Sequence, residues 1–268
     1  FSEKLFKLKN ESSKNNIKIT YFEVLTALAY LYFSEEKVDY AVMEIGLGGE
    51  WDAVNVADAK IAILTTLGLD HTEYLGNDLR KIATTKAKIV RKKSIVITGW
   101  DKEYHKYIPK SKEFYEGKSV KEWIQICIKC LKLSIQPIIS NIPGRQESHL
   151  NFTLDTAHNQ QAIEYLLNLN HDYQKIIIGM LQDKDIAAFI SKLPLNSTIL
   201  ACNLDSQRSA TSEKIYTICK DRNLKCKQFP NVKEAILSIK NEKTLITGSF
   251  YTVSEARAHF KLEGYSEL

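Results

Sequence analysis

The second half of the chain alternates apolar, β-branched segments with amphipathic segments at a regular spacing, and this alternation constrains the fold more than any other feature. A helical pattern follows each apolar segment. Strands that alternate with helices in this way predict a parallel sheet covered by helices on both faces. We therefore predict a doubly wound, Rossmann-like α/β domain over residues 141–268. Its predicted strands lie in LNFTLDTAHN, KIIIGML, STILACN, KCKQFP and KTLITG.

The first part of the chain shows the same alternation less completely. A helix is predicted over residues 20–36, where Thr20 and Glu23 have the spacing of a capping box and the apolar residues indicate burial on most of the surface. VDYAVMEIG (38–46) is predicted as a buried strand, whereas FSEKLFKLKNESSKNN at the start is polar and unanchored. Two further strands are predicted within 60–71 and 94–99, separated by a helix over 77–91.

These elements favour a partial α/β domain with a parallel sheet over residues 1–100. Residues 101–140 form a shortened linker region, in which KSVKEWIQICIKCLKLS has a helical pattern. The five cysteines are an odd number in a chain too long for a disulfide scaffold, which indicates a reducing, cytoplasmic setting. Cys127 and Cys130 lie within the helical pattern, so we interpret them as small buried residues and not as a zinc or redox site.

Composition excludes several classes of function. The 268 residues are 44% hydrophobic and 26% charged, which is typical of a soluble globular protein. The net charge is +5, but no dense block of Lys and Arg is present, which argues against nucleic-acid binding. No apolar run approaches the roughly 18–20 residues that a membrane-spanning helix needs.

Acidic and imidazole side chains follow predicted strands, at the edge where ligands of open α/β sheets bind. Glu44 stands in AVMEIGLGGEWDAVNV before a glycine-rich turn, Asp70 and His71 end the next strand, and Asp155 ends a strand of the second domain. A carboxylate and an imidazole on neighbouring strand ends can share one metal ion, and Mg²⁺ or Mn²⁺ suits such ligands better than zinc. The alternative is that Glu44 is a partly exposed residue beside a plain turn.

Seven segments together resemble folylpolyglutamate synthase and dihydrofolate synthase, which belong to the Mur ligase superfamily. Their order and character match that family over most of residues 20–258. The segments are TYFEVLTALAY, MEIGLGGEWDAVN, GLDHTEYLGNDLRKIATTKAKI, PGRQE, LDTAHNQQAIEYL, GMLQDKD and ITGSFYTVSEAR.

The resemblance implies an ATP-dependent ligase with a Mur-type central ATPase domain and a C-terminal domain. In that family the γ-phosphate of ATP passes to a carboxylate of dihydropteroate or a folate, and the amine of L-glutamate attacks the resulting acyl phosphate. The resemblance implies ATP and Mg²⁺ as cofactors, with Mn²⁺ as an alternative ion. It also favours a monomer.

The resemblance assigns roles to residues of the first domain. Glu44 and His71 match its magnesium ligands, and Lys86 matches a lysine that the family carries as a carbamate. Trp51, Asp52 and Ala53 match its pterin-contacting stretch. Two charges depart from the family pattern, because Glu50 replaces an Arg and Lys88 replaces a small glycine.

In the second domain the resemblance assigns Arg145 and Asp155 to the nucleotide, and His158 and Asn159 extend the same loop. An Arg over phosphates has a clear electrostatic logic. The alternative is that Arg145 is a turn residue after Pro-Gly and that Asn159 is a plain helix N-cap.

No G-x-x-x-x-G-K-[ST] phosphate loop is present, although a Mur-type ligase needs one to bind the phosphates. We therefore expect the sheet of the first domain to lack its phosphate-loop strand and the chain alone to be inactive. The chain would be part of a longer synthase, one half of an enzyme whose N-terminal half is encoded separately, or the product of an eroding gene. The competing hypotheses are a non-catalytic, partner-binding remnant and a Mur-type ligase for another carboxylate substrate.

Overall fold

The computed structural model of the protein describes residues 2–69, 72–137, 142–169 and 172–263. The chain divides into two compact units. Unit 1 is Phe1–Pro137 and unit 2 is Ile138–Leu268. Among the described residues, no helix combines the length and the apolar character that a membrane span requires.

Unit 2 is built on a six-stranded sheet with the order β4-β5-β9-β6-β7-β8. All strands pair in parallel except β4, which is antiparallel to β5. The predicted parallel sheet is therefore confirmed, and the antiparallel edge strand is an addition that the sequence did not reveal. The strands are β4 (Glu147–His149), β5 (Phe152–Leu154), β6 (Lys175–Ile178), β7 (Thr198–Cys202), β8 (Lys225–Phe229) and β9 (Thr244–Thr247).

Helices cover both faces of this sheet, so the predicted doubly wound arrangement is confirmed. Ile176 and Ile178 of β6 belong to a core cluster shared with three helices, whereas Ile177 between them belongs to a second cluster shared with two others. The first face carries α6 (Gln160–Asn168), α7 (Ile186–Ile190) and α8 (Ser212–Asp221). The second face carries α9 (Val232–Leu237) and α10 (Phe250–Phe260).

The strand order places a topological switch point at the carboxyl end of β9. Neighbouring strands β5 and β9 continue into α6 and α10, which lie on opposite faces of the sheet. Gly248 N donates to the Ala157 carbonyl at 2.9 Å, which joins the two strand ends. Ligands of open α/β sheets bind in the crevice at such a point, so the fold itself selects the Asp155 loop as a candidate site.

Unit 1 has a smaller, fully parallel sheet with the order β1-β2-β3. The predicted strands and the helix between them are confirmed in shorter form, and β3 lies in the region expected to be a linker. The apolar side chains of β2 are buried throughout. The elements are α1 (Ser2–Lys14), α2 (Tyr21–Glu35), β1 (Ile61–Leu64), α3 (Thr72–Leu75), α4 (Leu79–Ala87), β2 (Ile95–Thr98), β3 (Glu113–Glu116) and α5 (Val120–Leu131).

Two predictions for unit 1 are wrong. Residues 38–46 form no strand; they run as exposed coil, and the Val42 side chain is 94% exposed. The described sheet of unit 1 consists of β1, β2 and β3, and none of these strands pairs with residues 38–46. Helix α2 begins at the predicted capping box, but only Thr26 and Leu28 are buried in it. Its apolar surface is therefore largely uncovered.

The start of the chain also differs from its prediction. Residues that were expected to be unanchored form helix α1, although none of its side chains is buried. Helix α1 contacts α2, and Lys4 forms an ion pair with Glu35. A surface ion pair of this kind contributes little to the stability of the contact, because water screens the two charges.

Candidate functional site

The glycine-rich loop of unit 1 lies directly on the turn of α4 that carries Lys86. A Cβ atom added to Gly49 would lie 2.7 Å from the Thr85 carbonyl oxygen and 3.0 Å from that of Lys86. Gly48 has φ +68°, which disfavours side chains. Gly49 therefore allows the backbone of the loop to lie directly against the backbone of α4 at Lys86.

Asp52 shapes this loop from inside. Its Oδ2 accepts a hydrogen bond from Leu47 N at 2.8 Å, and its Oδ1 accepts one from Val54 N at 2.8 Å. Tyr30 on α2 donates its hydroxyl to the Val54 carbonyl at 2.8 Å, and burial raises the pKa of that phenol. The structure thus gives Asp52 a loop-organising role, and its predicted contact with a pterin remains a prediction.

The two charges that depart from the family pattern lie beside each other. Lys88 Nζ is 3.7 Å from Glu50 Oε1, and both side chains are partly exposed. The pair joins the glycine loop to the end of α4. The positive charge of Lys88 near Lys86 is therefore balanced by the carboxylate of Glu50. Trp51, next to this pair, is 89% exposed and Ala53 is partly buried.

Hydrogen bonds from Arg91 join the same loop to the residues after α4. Its guanidinium donates to the Lys88 carbonyl, to the carbonyl and the side-chain oxygen of Asn55, and to Asp58 Oδ1. Asn55 in turn donates to the Gly49 carbonyl at 2.8 Å. The spacing of these residues gave no signal, because Arg91 and Asn55 lie 36 residues apart.

The metal prediction rests on Glu44, His71 and Lys86. Glu44 lies in the exposed coil, Lys86 is half-buried on α4, and His71 lies outside the described residues, as does Asp70. Within the described ranges, no group of three or more His, Cys, Asp or Glu side chains is arranged to hold a metal ion. The described residues therefore do not complete a metal site, and we derive no reaction step through a metal.

Asp155 organises the switch point of unit 2. The carboxylate is 7% exposed; its Oδ2 accepts from Gln146 N at 2.9 Å and its Oδ1 accepts from Ala157 N at 2.8 Å. It thereby ties the loop before β4 to the end of β5. A carboxylate has further lone pairs, so a ligand hydroxyl can still be accepted on the exposed side.

Arg145 and His158 converge on the ring of Phe250. The guanidinium carbon of Arg145 is 5.7 Å from the ring centroid, and the His158 ring centroid is 6.2 Å from it. Nδ1 of His158 lies 3.0 Å from the Thr156 carbonyl oxygen. The structure brings two predicted nucleotide residues together around an aromatic ring that the sequence did not single out.

Two neighbouring side chains complete this end of the sheet. Asn159 caps α6, because its Oδ1 accepts from Ala162 N at 2.8 Å; its predicted contact with a nucleotide remains a prediction. The buried hydroxyl of Thr156 has no hydrogen-bond partner among the described residues.

A surface cleft in unit 1 lies away from the predicted site residues. This cleft of about 300 Å³ is lined by residues such as Arg80, Glu103 and Tyr107, none of which was a predicted site residue.

The family comparison agrees with the fold of unit 1. Residues 3–123 match the Mur ligase middle domain. A dihydrofolate synthase/folylpolyglutamate synthase of Buchnera aphidicola subsp. Schizaphis graminum is 27% identical over 309 residues, covering 91% of this chain and 72% of that protein.

Solved structures extend the agreement to both units. E. coli FolC in complex with DHPP and ADP is 26% identical, with a TM-score of 0.81, covering 94% of this chain and 73% of that chain. A bifunctional folylpolyglutamate synthase/dihydrofolate synthase from Yersinia pestis, complexed with AMPPNP and Mn ion, is 24% identical with a TM-score of 0.78 and shows the same fold; the match covers 97% of this chain and 75% of that one. By sequence and by structure, the chain is similar to folylpolyglutamate synthases and dihydrofolate synthases, and its residues 3–123 match the Mur ligase middle domain.

Proposed function

We propose that this protein contributes to ATP-dependent addition of L-glutamate to the carboxylate of dihydropteroate or a folate. The observation that carries the proposal is the switch point of unit 2. There Asp155 joins two loops, and Arg145 and His158 meet at one ring. The E. coli and Yersinia relatives bind ADP and AMPPNP, which supports a nucleotide as the ligand.

Each unit supplies one residue set to this function. In unit 2, the Arg145 guanidinium would contact the phosphates, and Asp155 would accept a hydroxyl of the nucleotide. His158 and Asn159, which extend the loop after Asp155, would also contact the nucleotide. In unit 1, the exposed Trp51, with Asp52 and Ala53, would contact the pterin ring.

The proposed ligation takes place in two steps, through an acyl phosphate of the substrate. The substrate carboxylate attacks the γ-phosphorus of ATP and ADP leaves; the glutamate amine then attacks the acyl carbon and phosphate leaves. A divalent cation would neutralise phosphate charge, and the Mn ion of the Yersinia complex supports that requirement, with Mg²⁺ as the proposed ion. Lys86 as a carbamate, with Glu44 and His71, is the proposed ligand set.

Absence of a phosphate loop from the 268 residues sets a limit on turnover. Without those backbone N–H groups and their lysine, the γ-phosphate is not held for transfer. We propose that the chain alone binds nucleotide in unit 2 but does not turn over. Cytoplasmic location and a monomeric state remain part of this proposal.

A non-catalytic nucleotide-binding protein is the second candidate. The specific observation that favours it is the exposed coil at 38–46, which carries Glu44 away from any described strand. This candidate predicts nucleotide binding without ligation under every condition.

The test is phosphate release that depends on MgATP, L-glutamate and either dihydropteroate or tetrahydrofolate. We expect none from the chain alone, and turnover from the chain fused behind a phosphate-loop segment of the E. coli relative. Glu44→Gln in the fusion should abolish that turnover. Turnover by the chain alone would contradict the phosphate-loop argument. A silent fusion that still binds MgADP would favour the non-catalytic candidate.

A further inference from the structure

We propose that Phe250 is a positioning residue that holds the Arg145 guanidinium in place for the phosphates of a bound nucleotide. The inference rests on the proposed function, because Arg145 is a nucleotide residue only within it. It adds an aromatic side chain that neither the sequence motifs nor the hydrogen bonds had assigned to the site.

The contact geometry supports this role. The Arg145 guanidinium carbon lies 5.7 Å from the centroid of the Phe250 ring, within the distance at which a cation is attracted to an aromatic face. The His158 ring lies 6.2 Å from the same centroid at an interplanar angle of 40°. The one ring therefore contacts both side chains of the candidate nucleotide site.

Packing does not account for the position of this ring. The first buried side chains of α10 are those of Thr252 and Val253, and the helix packs on the sheet through Val253 and Ala256. The Phe250 ring is 53% exposed and belongs to none of the core clusters of described residues. An exposed Phe contributes little to the core, so its contact with Arg145 is the more informative feature.

The backbone beneath the ring is held firmly. Ser249 caps α10, and its Oγ lies 2.7 Å from the Thr252 hydroxyl, which donates to the Gly179 carbonyl at 2.6 Å. These bonds join the first turn of α10 to the end of β6. The ring thus projects from a fixed point of the switch region.

Arg145 has a fixed backbone and a long side chain that needs such a support. Its N–H donates to the Ile142 carbonyl at 3.0 Å, and Gly144 and Gln146 on either side have φ of +69° and +48°. Within the described ranges, no carboxylate forms an ion pair with Arg145. The guanidinium charge is therefore available to a phosphate, while the ring limits the conformations of the side chain.

Two measurements on the full chain test the proposal. The first is the NMR shift of the Arg145 δ-methylene protons without ligand, which the ring current of Phe250 should move upfield. The second is the Kd for MgADP and for inorganic pyrophosphate. The variants are Phe250→Leu, which keeps apolar bulk, and Phe250→Tyr, which keeps the ring. Tyr251→Leu, on the same helix and 41% exposed, is the matched control.

We expect Phe250→Leu to remove the upfield shift and to raise both Kd values about two- to fivefold, the range of an exposed cation–π contact. Phe250→Tyr should restore both, and Tyr251→Leu should change neither. If Phe250→Leu leaves the Arg145 shift unchanged, the proposed role of Phe250 is wrong. It is also wrong if the upfield shift is lost but both Kd values stay unchanged. Weaker MgADP binding with normal pyrophosphate binding would also overturn it, because the ring would then contact the base. A wild-type chain that binds neither ligand would instead overturn the proposed nucleotide site.

Discussion

Unit 2 buries apolar side chains on both faces of its sheet, whereas the described part of unit 1 has a single core cluster. The two units have nearly equal lengths, yet most of the large apolar side chains that are exposed belong to unit 1. They include those of Val42, Tyr40 and Tyr21. Similar apolar composition therefore does not ensure a similar core; a strand is buried only when neighbouring strands and helices cover it.

The candidate sites differ in the same way. In unit 2, Arg145, Asp155 and His158 are brought together by hydrogen-bonded loops at one strand end. In unit 1, the loop around Asp52 is equally well bonded, but Glu44 lies in exposed coil beyond it. The loops at the switch point of unit 2 are therefore ordered by hydrogen bonds, whereas the proposed metal site depends on how residues 38–46 are arranged.

The largest expected effect tests the difference between the cores. Phe189, fully buried on α7, should be replaced by Ala. We expect the free energy of unfolding of unit 2 to fall by about 3–5 kcal/mol, because the side chain leaves a cavity. Urea unfolding followed by circular dichroism measures it. Tyr21→Ala on the exposed face of α2 is the control and should change stability by less than about 0.5 kcal/mol.

A smaller effect compares the two aspartates that organise loops. Asp155→Ala should destabilise unit 2 by about 1–3 kcal/mol, because two backbone N–H groups lose a buried acceptor. Asp52→Ala should destabilise unit 1 by about 1 kcal/mol, since its loop is more accessible to water. Asp155→Asn, which keeps one acceptor oxygen, should fall between wild type and Asp155→Ala. Equal losses for the two Ala variants would contradict the greater burial of the unit 2 site.

The smallest effect is a pH dependence confined to unit 2. Burial raises the pKa of Glu255, whose Oε1 accepts from Asp205 N at 3.0 Å. The folded protein therefore binds this proton more tightly than the unfolded chain does. The protonated Glu255 carboxyl therefore stabilises the folded protein. This stabilisation is fully present below the ordinary glutamate pKa and is lost as pH rises through the raised pKa of Glu255.

Glu255→Gln should remove that dependence while leaving the hydrogen-bond acceptor in place. Thermal unfolding of wild type and variant between about pH 3.5 and pH 7, a range that includes the ordinary glutamate pKa of about 4.3, measures it. Parallel profiles for the two proteins would show that Glu255 titrates normally.

Sequence alone predicted most of unit 2 because the local sequence signals for its strands and helices agree with the fold. The N-caps at Asn159, Asn231 and Ser249 and the apolar β6 and β9 all agree with the fold. Sequence analysis did not single out Phe250. An aromatic residue at the start of a helix can pack in the core or contact an Arg side chain, and the sequence pattern is the same in both cases.

The same reasoning was wrong for residues 38–46, where the apolar pattern is that of a buried strand. The apolar pattern indicates that a segment can form a buried strand when a neighbouring strand pairs with it. The pattern does not indicate whether that neighbouring strand is present. Arg91 and Asn55 were missed for a related reason, because contacts 36 residues apart leave no local pattern.

Hydrogen exchange with and without MgADP tests whether unit 2 of this chain binds a nucleotide at its switch point. We predict slower amide exchange at residues 144–147, 155–159 and 249–252 when MgADP binds. Residues 38–46 should exchange rapidly in both states. Protection confined to other segments, or no protection at the switch point at saturating MgADP, would contradict the account.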